Sequence, residues 1–102
     1  GITLYAYESG VRVLSVVAPL DELEHRSEWG CEPTFEHVHQ WALDATSEFA
    51  LGYLDVHNRD GLVFGCHVLH GELSEKARRR LVEEVAWRAD SLQAALTGAD
   101  RR

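Results

Sequence analysis

The sequence predicts an α+β fold of the order ββαββα, in which an antiparallel sheet carries its helices packed on one face. Two pairs of β-branched or alternating segments, each joined by a short turn that contains glycine, predict two antiparallel hairpins. Each hairpin is followed by apolar residues at steps of three and four, which is the spacing of an amphipathic helix. The length of 102 residues, with 45% hydrophobic and 26% charged side chains, predicts one globular domain over residues 1–102.

The first hairpin is predicted over residues 2–7 and 11–18, because both segments are rich in β-branched, aliphatic or aromatic residues. Glu8, Ser9 and Gly10 form the turn between the two strands, and Pro19 ends the second strand. Residues 20–32 are then expected to form a polar connection with room for one helical turn.

The first helix is predicted to begin after Pro33, with Thr34 as its N-cap, and to end at Gly52. Trp41 lies at the edge of its predicted buried stripe, which consists of Phe35, Val38, Ala42, Ala45 and Phe49. This stripe indicates a helix that packs against the sheet.

The second hairpin begins with residues 53–57, whose alternation of polar and apolar side chains predicts a half-buried strand. The turn that follows ends at Gly61, which is free to adopt a positive φ angle. The returning strand ends at Gly71, and its inward side chains are expected to be Leu62, Phe64, Cys66 and Val68.

The last helix is predicted to run from an N-cap at Ser74 to Gly98, a natural residue for a helix C-terminus. Residues 78–80 are three consecutive arginines, which indicate either a solvated face or a short patch for an acidic partner. The buried stripe of this helix is predicted to be Leu81, Val82, Val85, Ala89, Leu92 and Leu96.

The net charge of −7 argues against nonspecific binding to nucleic acid or to an anionic membrane, since both require a positive field. An acidic inhibitor that mimics nucleic acid is an alternative function, although the acidic residues are scattered and interleaved with arginine rather than concentrated in one ridge. We therefore expect a protein or peptide partner, no nucleic acid and no membrane.

Cys31 and Cys66 lie far apart in the sequence, and no signal peptide precedes them, so we expect reduced thiols and a cytoplasmic location. The sequence lacks methionine and enters an apolar run directly after Gly1. Either the initiator methionine was removed before a small residue, or the chain was cut from a longer one, in which case the domain is trimmed and lacks an N-terminal helix.

The six histidines suggest an alternative function, a small metal-binding protein or enzyme that uses Cys66, His67 and His70. Strand alternation, however, directs His67 and His70 to opposite faces and Cys66 inward. The sequence contains no C-x-x-C, H-E-x-x-H or G-x-S-x-G pattern, although a Cys–His dyad that uses Cys31 or Cys66 stays open. We expect no catalytic residue, no metal and no cofactor.

Trp87 is the strongest candidate for a protein-binding residue. It falls about 200° around the last helix from Val85, so it shares the polar face with Arg80. Tryptophan and arginine are enriched among the residues that anchor protein interfaces. The predicted protein-binding set is Trp87, Trp41, Arg80 and Tyr53.

Residues 33–96 resemble the YbjN and type III secretion chaperone-like superfamily, including the actinobacterial peptide-binding chaperone-like domains grouped with it. The resemblance depends on a tryptophan in the first helix, a Y-L-D strand, a D-G-L-V turn, a G-x-L-S link and an Ala-Asp pair followed by spaced leucines. In this sequence these are Trp41, residues 53–55, residues 60–63, residues 71–74, Ala89 and Asp90 with Leu92 and Leu96.

The resemblance implies a noncatalytic module that binds a peptide or protein in the manner of a chaperone or adaptor. Members of this superfamily are similar to secretion chaperones, which are commonly dimeric and hold extended peptide segments. A homodimer is therefore one expected assembly. The net acidic surface would favour basic clients.

Overall fold

The computed structural model describes residues 2–30, 32–49, 52–69, 71 and 74–98. These residues form a small α+β domain with one four-stranded antiparallel sheet and two helices, which confirms the predicted class. The strands lie in the order β1-β2-β4-β3 across the sheet. Along the chain the elements are β1 (Ile2–Ala6), β2 (Gly10–Ala18), α1 (Phe35–Thr46), β3 (Tyr53–His57), β4 (Gly61–Leu69) and α2 (Glu75–Thr97).

One face of the sheet carries both helices and the core, and the side chains on it follow from strand alternation. The four inward residues predicted for β4 are all buried on this face. In β2 an irregularity between Val16 and Ala18 turns both Val17 and Ala18 toward the helices. The helices meet these strands with Val38, Ala42, Val85, Ala89 and Leu96.

The prediction that the first helix continues to Gly52 is wrong, since α1 ends at Thr46. The Thr46 hydroxyl donates a hydrogen bond to the Ala42 carbonyl over 2.8 Å and accepts one from the Leu54 amide over 2.9 Å. The Thr46 side chain therefore links the end of α1 to the start of β3. Phe49 still reaches the core, because its ring packs against the ring of Phe64 at 5.2 Å.

At the N-terminal end of α1, the buried stripe lacks one of its predicted residues. Phe35, the first residue of the helix, remains 38% exposed and packs against the ring of His39 rather than in the core. Val38 and Ala42 are fully buried, and the N-cap is the predicted one, since the Thr34 hydroxyl accepts a hydrogen bond from the His37 amide.

The two ends of α2 are those that the sequence predicts. The Ser74 hydroxyl accepts a hydrogen bond from the Ala77 amide, and Gly98 adopts a left-handed conformation with φ of 74°. The predicted stripe also faces the core, where Val85, Ala89 and Leu96 are buried and the other three members are partly buried.

The connection between β2 and α1, which the sequence predicts to be a polar link, has regular structure. It contains two 3-10 turns, at Leu20–Glu22 and Ser27–Trp29. Trp29 is only 2% exposed, meets the ring of Trp41 edge-on at 5.2 Å and donates an indole N–H to the Glu24 carbonyl over 3.1 Å. The connection therefore supplies part of the core.

The same connection holds the C-terminal end of α2. The Glu24 amide donates to the Leu96 carbonyl over 2.8 Å, and the Arg26 guanidinium donates to the Ala95 carbonyl over 3.3 Å. Carbonyls in the last turn of a helix have no partner within the helix, so these bonds satisfy two of them. Arg26 is also paired with Glu28 at 3.0 Å, and the hydrogen bond from Arg26 lowers the pKa of that carboxyl.

Candidate protein-binding surface

The four residues of the predicted protein-binding set lie on separate surfaces. Trp87 is 61% exposed on the outer side of α2, where it neighbours Arg88, and Arg80 is exposed on the same helix. Trp41 packs against Trp29 and also lines a shallow hollow beside Glu28 and Asp44. Tyr53 lies on the face of the sheet opposite the helices. The set therefore does not form one site.

The outer edge of β3 is closed by side chains. Leu54 and Val56 direct their backbone groups away from β4, because alternate residues of an antiparallel strand face opposite neighbours. The Leu54 amide is bound by the Thr46 hydroxyl, and the Val56 amide donates to the Asp55 carboxylate over 2.8 Å. A further strand would have to displace both bonds and move α1, which packs beside this strand.

The outer edge of β1 is open. Tyr7 and Gly10 are joined by two backbone N–H···O=C hydrogen bonds, at 2.8 and 3.3 Å. In an antiparallel hairpin such a pair fixes which residues of β1 direct their backbone groups toward β2 and which direct them outward. The outward backbone groups of β1 are consequently those of Ile2, Leu4 and Ala6. Within the described ranges no side chain is hydrogen-bonded to them.

The sequence of β1 also lacks the usual protection of a sheet edge. Its five residues, ITLYA, include no charged residue and no proline. Natural proteins commonly protect exposed edges with lysine, proline, a bulge or a covering element, because an unpaired edge can accept another strand. The open edge of β1 therefore stands out as an interaction surface.

An apolar groove adjoins this edge on the helix side of the sheet. Leu4 is 59% exposed and forms one wall, while the N-terminal half of α2 forms the other. The groove encloses about 180 Å³, and its lining residues are Leu4, Val11, Val13, Val68, Arg78, Leu81 and Val82. Apolar side chains next to the β1 edge could enter it.

The other face of the sheet, which we call the open face, carries no helix in the described parts of the chain. It presents the exposed apolar side chains of Tyr5, Tyr7, Val16 and Leu69. The ring of Tyr53 lies above Gly65, where an added Cβ atom would be 3.1 Å from the tyrosine hydroxyl and would also collide with Leu14. Glycine at this position lets the tyrosine lie flat on the sheet.

Arg12 lies at the centre of the open face. Its guanidinium carbon is 5.5 Å from the centroid of the Tyr7 ring and 5.9 Å from that of Tyr53, both within cation–π distance. Its sheet neighbours are Tyr5 on β1 and His67 on β4. We call Tyr7, Arg12, Tyr53 and His67 the open-face cluster.

Two polar atoms of this cluster are buried without a hydrogen bond. They are Nε of Arg12 and the hydroxyl oxygen of Tyr53, neither of which has a partner among the described residues. Burial raises the pKa of the Tyr53 hydroxyl, and the nearby charge of Arg12 opposes that shift. The cluster was missed at the level of sequence, because only the strand order brings Arg12 and Tyr53 together.

The residues of the metal alternative are divided between the two faces of the sheet. Cys66 is buried among the core residues on the helix face, whereas His67 is exposed on the open face. His70 and Cys31 lie outside the described residues. In the described ranges no three His, Cys, Asp or Glu side chains are grouped so that they could hold a metal ion.

No helix in the described part of the chain combines the length and the apolar character needed to cross a membrane. No family model matches the sequence, and neither a curated protein nor a solved structure is significantly similar to it. The surfaces described above are therefore the features that point to a function.

Proposed function

We propose that this domain is a noncatalytic peptide- or protein-binding module, chaperone- or adaptor-like, that accepts an extended segment along the outer edge of β1. The observation that carries the proposal is the contrast between the two sheet edges. The outward amides of β3 are occupied by Thr46 and Asp55, whereas those of β1 have no partner in the described ranges.

The geometry suits strand addition. An added strand would bond to the outward backbone groups of Ile2, Leu4 and Ala6, which supplies affinity without regard to sequence. Its side chains would alternate between the two faces. Those on the helix side would meet the groove beside Leu4 and Leu81, and those on the other side would lie next to Tyr5.

The resemblance to the YbjN and type III secretion chaperone-like superfamily supports the same proposal. The order of elements along the chain, with two strands before each of the two helices, is compatible with that class. We extend the proposal to a chaperone-like fold and to a cytoplasmic location, where the buried thiol of Cys66 would stay reduced. The same edge could also pair with a second copy of the chain.

Two substitutions of Leu4 distinguish binding through the backbone of β1 from binding through the Leu4 side chain. Leu4→Pro removes the outward N–H group but spares the bonds between β1 and β2, since proline is tolerated where that group faces solvent. Leu4→Ala removes a similar amount of apolar side chain and retains the N–H group. Leu43→Ala is a matched surface control, because Leu43 is 55% exposed on α1.

The experiment is selection of a random peptide library on the immobilised wild-type domain, followed by affinity measurements with each variant. We expect Leu43→Ala to bind like wild type, Leu4→Ala to bind more weakly, and Leu4→Pro to bind at least about tenfold more weakly than Leu4→Ala, which is the loss of about one net hydrogen bond or slightly more. If the proline and alanine variants bind equally, strand addition at β1 is wrong.

Two further measurements separate the competing functions. Trp87→Ala should leave peptide binding unchanged, and a large loss would move the site to the outer face of α2. Stoichiometric zinc in the purified protein that is removed by His67→Ala would contradict the binding-module proposal and favour the metal alternative.

A further inference from the structure

Among the described residues of this acidic protein, Arg12 is a cation without an ion-pair partner. The sequence has 17 acidic residues and 10 lysines and arginines, yet the ion pairs of the described residues do not include Arg12. Asp55, an acid on the same face, already interacts with His57 at 3.7 Å and with the Val56 amide. The guanidinium therefore has unused capacity to bind an anion.

The surroundings of Arg12 hold its side chain in place. The Tyr7 and Tyr53 rings both lie within 6 Å of the guanidinium carbon, and His67 lies beside Arg12 on the next strand. The Tyr7 and His67 rings are themselves only 5.9 Å apart. A planar guanidinium restrained by aromatic rings loses less freedom when it binds a carboxylate than a mobile surface arginine does.

The two unpaired atoms indicate what the cluster lacks. Nε of Arg12 and the Tyr53 hydroxyl are both buried, and both can donate a hydrogen bond. Buried donors are nearly always paired in folded proteins, so unpaired donors call for an acceptor. The raised pKa of Tyr53 keeps its hydroxyl protonated and able to donate.

We propose that the open-face cluster binds a carboxylate of the partner segment, supplied either by an Asp or Glu side chain or by a C-terminus. The proposal deepens the proposed function and rests on it, because a segment docked on β1 passes Tyr5, the β1 neighbour of Arg12. A guanidinium matches the two oxygens of a carboxylate in a planar, bidentate arrangement. A polyphosphate partner is disfavoured by the net charge of −7.

The proposal reverses the expectation of basic clients at this surface. That expectation follows from the net charge of the whole chain. The charged residues around the β1 edge instead include two cations, Arg12 on the open face and Arg78 in the groove, and one acid, Glu8 in the turn after β1. Local charge governs recognition because screening limits interactions between surface charges to about 10 Å at ordinary ionic strength.

Small probes can test the cluster without a docked peptide. The compounds are N-acetylglutamate N-methylamide, its neutral glutamine analogue, N-acetylalanine as a free acid, and inorganic phosphate, each added at constant pH and ionic strength. Binding is followed by NMR through the Arg12 Nε–Hε signal and the backbone amides of Tyr7, Gly65 and His67. The two carboxylates distinguish side-chain from C-terminal recognition.

We expect at least one carboxylate to shift these signals in a saturable way while the glutamine analogue does not. Arg12→Gln should weaken carboxylate binding by at least about tenfold, since a hydrogen bond to a charged group is lost. Arg59→Gln is the control, because Arg59 is exposed in the turn between β3 and β4, and it should bind like wild type. Tyr53→Phe should reduce binding by a smaller factor.

The proposal is overturned by equal shifts from the glutamate and glutamine compounds, by the absence of saturation, or by carboxylate binding that persists in Arg12→Gln. Phosphate that saturates at a tenfold lower concentration than either carboxylate would instead indicate a phosphorylated partner. The glutamate and glutamine comparison uses the wild-type protein, so it is decisive even if Arg12→Gln does not fold.

Peptide selection distinguishes this proposal from the proposed function. Peptides recovered by the wild-type domain should be enriched in acidic residues or depend on a free C-terminus, and this preference should disappear with Arg12→Gln. Peptides that bind through β1 but show no such preference would remove the carboxylate site and leave the binding module intact.

Discussion

The exposed fractions of Trp29 and Trp87 show that one tryptophan belongs to the core and the other to the surface. Trp29 and Trp87 are identical in chemistry, but Trp29 is 2% exposed and Trp87 is 61% exposed. Trp29 also forms the edge-on contact with Trp41 and the hydrogen bond to the Glu24 carbonyl. Because its side chain is buried and held by both contacts, Trp29 anchors the connection between β2 and α1 in the core.

Trp29→Ala should lower the free energy of unfolding by about 3–5 kcal/mol, the usual cost of removing a buried aromatic side chain. Trp87→Ala should change it by no more than about 0.5 kcal/mol, since surface substitutions seldom do more. Urea unfolding followed by circular dichroism provides both values. Similar losses in the two variants would contradict the burial of Trp29.

Tyr53 should make stability depend on pH above the ordinary tyrosine range. Its pKa is raised in the folded state, chiefly by burial, so the folded protein holds this proton more tightly than the unfolded chain does. The resulting stability is fully present below about pH 10, the unfolded pKa, and is lost as pH rises through the folded pKa.

Urea unfolding of wild type and Tyr53→Phe at pH 9 and at successive points above pH 10 tests this dependence. The wild type should lose more stability than the variant across this interval, because only the wild type must ionise a buried hydroxyl. Parallel curves for the two proteins would show that Tyr53 titrates alike in the folded and unfolded states.

At the scale of elements, Thr46 joins the end of α1 to the outer edge of β3. Its hydroxyl accepts the Leu54 amide and donates to the Ala42 carbonyl, so one side chain ends the helix and closes the strand. The apolar pattern of residues 35–49 did not indicate this end, since Phe49 continues the stripe after the helix has stopped. The spacing of apolar residues indicates which side chains face the core, but it does not show where the helix ends, because Phe49 packs against the core from the segment after α1.

Thr46→Val keeps the shape of the side chain and removes its hydroxyl, which leaves the Leu54 amide without its acceptor. We expect a loss of about 1–3 kcal/mol in unfolding free energy, the cost of an unpaired buried donor. Hydrogen exchange of the Leu54 amide should also become faster. Thr46→Ser retains the hydroxyl and should protect this amide nearly as well as wild type; equal exchange in the serine and valine variants would contradict the bond.

For the whole molecule, the asymmetry of the sheet determines which surfaces are available to a partner. In the described part of the chain, one face is covered by two helices and the other carries none, while the outer edge of β3 is closed and that of β1 is free. The free edge and the apolar groove lie beside β1, and the open-face cluster extends from Tyr7 and Arg12 to His67 on β4 and Tyr53 on β3. A partner that docks along β1 would therefore meet main-chain, apolar and charged contacts together.

A lysine at the free edge should suppress association through it, because a desolvated charge opposes strand pairing. We expect Leu4→Lys to abolish any concentration-dependent self-association seen in sedimentation equilibrium. Leu43→Lys introduces the same charge at an equally exposed leucine on α1 and should not have this effect. An equal effect of both substitutions would point to general surface hydrophobicity rather than to β1.

The sequence by itself determined the elements and most of the inward faces. The limits of β3, the caps of α2 at Ser74 and Gly98, and the burial of the four inward residues of β4 agree with the prediction, although Val63 and Gly65 between them are buried as well. Strand alternation also separated Cys66 from His67 correctly. These features depend on neighbours within a few residues, and the period of a helix or strand encodes them directly.

Only the tertiary structure decided which surfaces remain available. The closure of β3 depends on a helix residue, the burial of Trp29 depends on Trp41, and the open-face cluster unites residues of both hairpins. The contact between Arg12 and Tyr53 requires the strand order β1-β2-β4-β3, which no local pattern specifies. The candidate binding site arises from that order, because pairing β2 with β4 leaves β1 at the edge and places Arg12 near Tyr53.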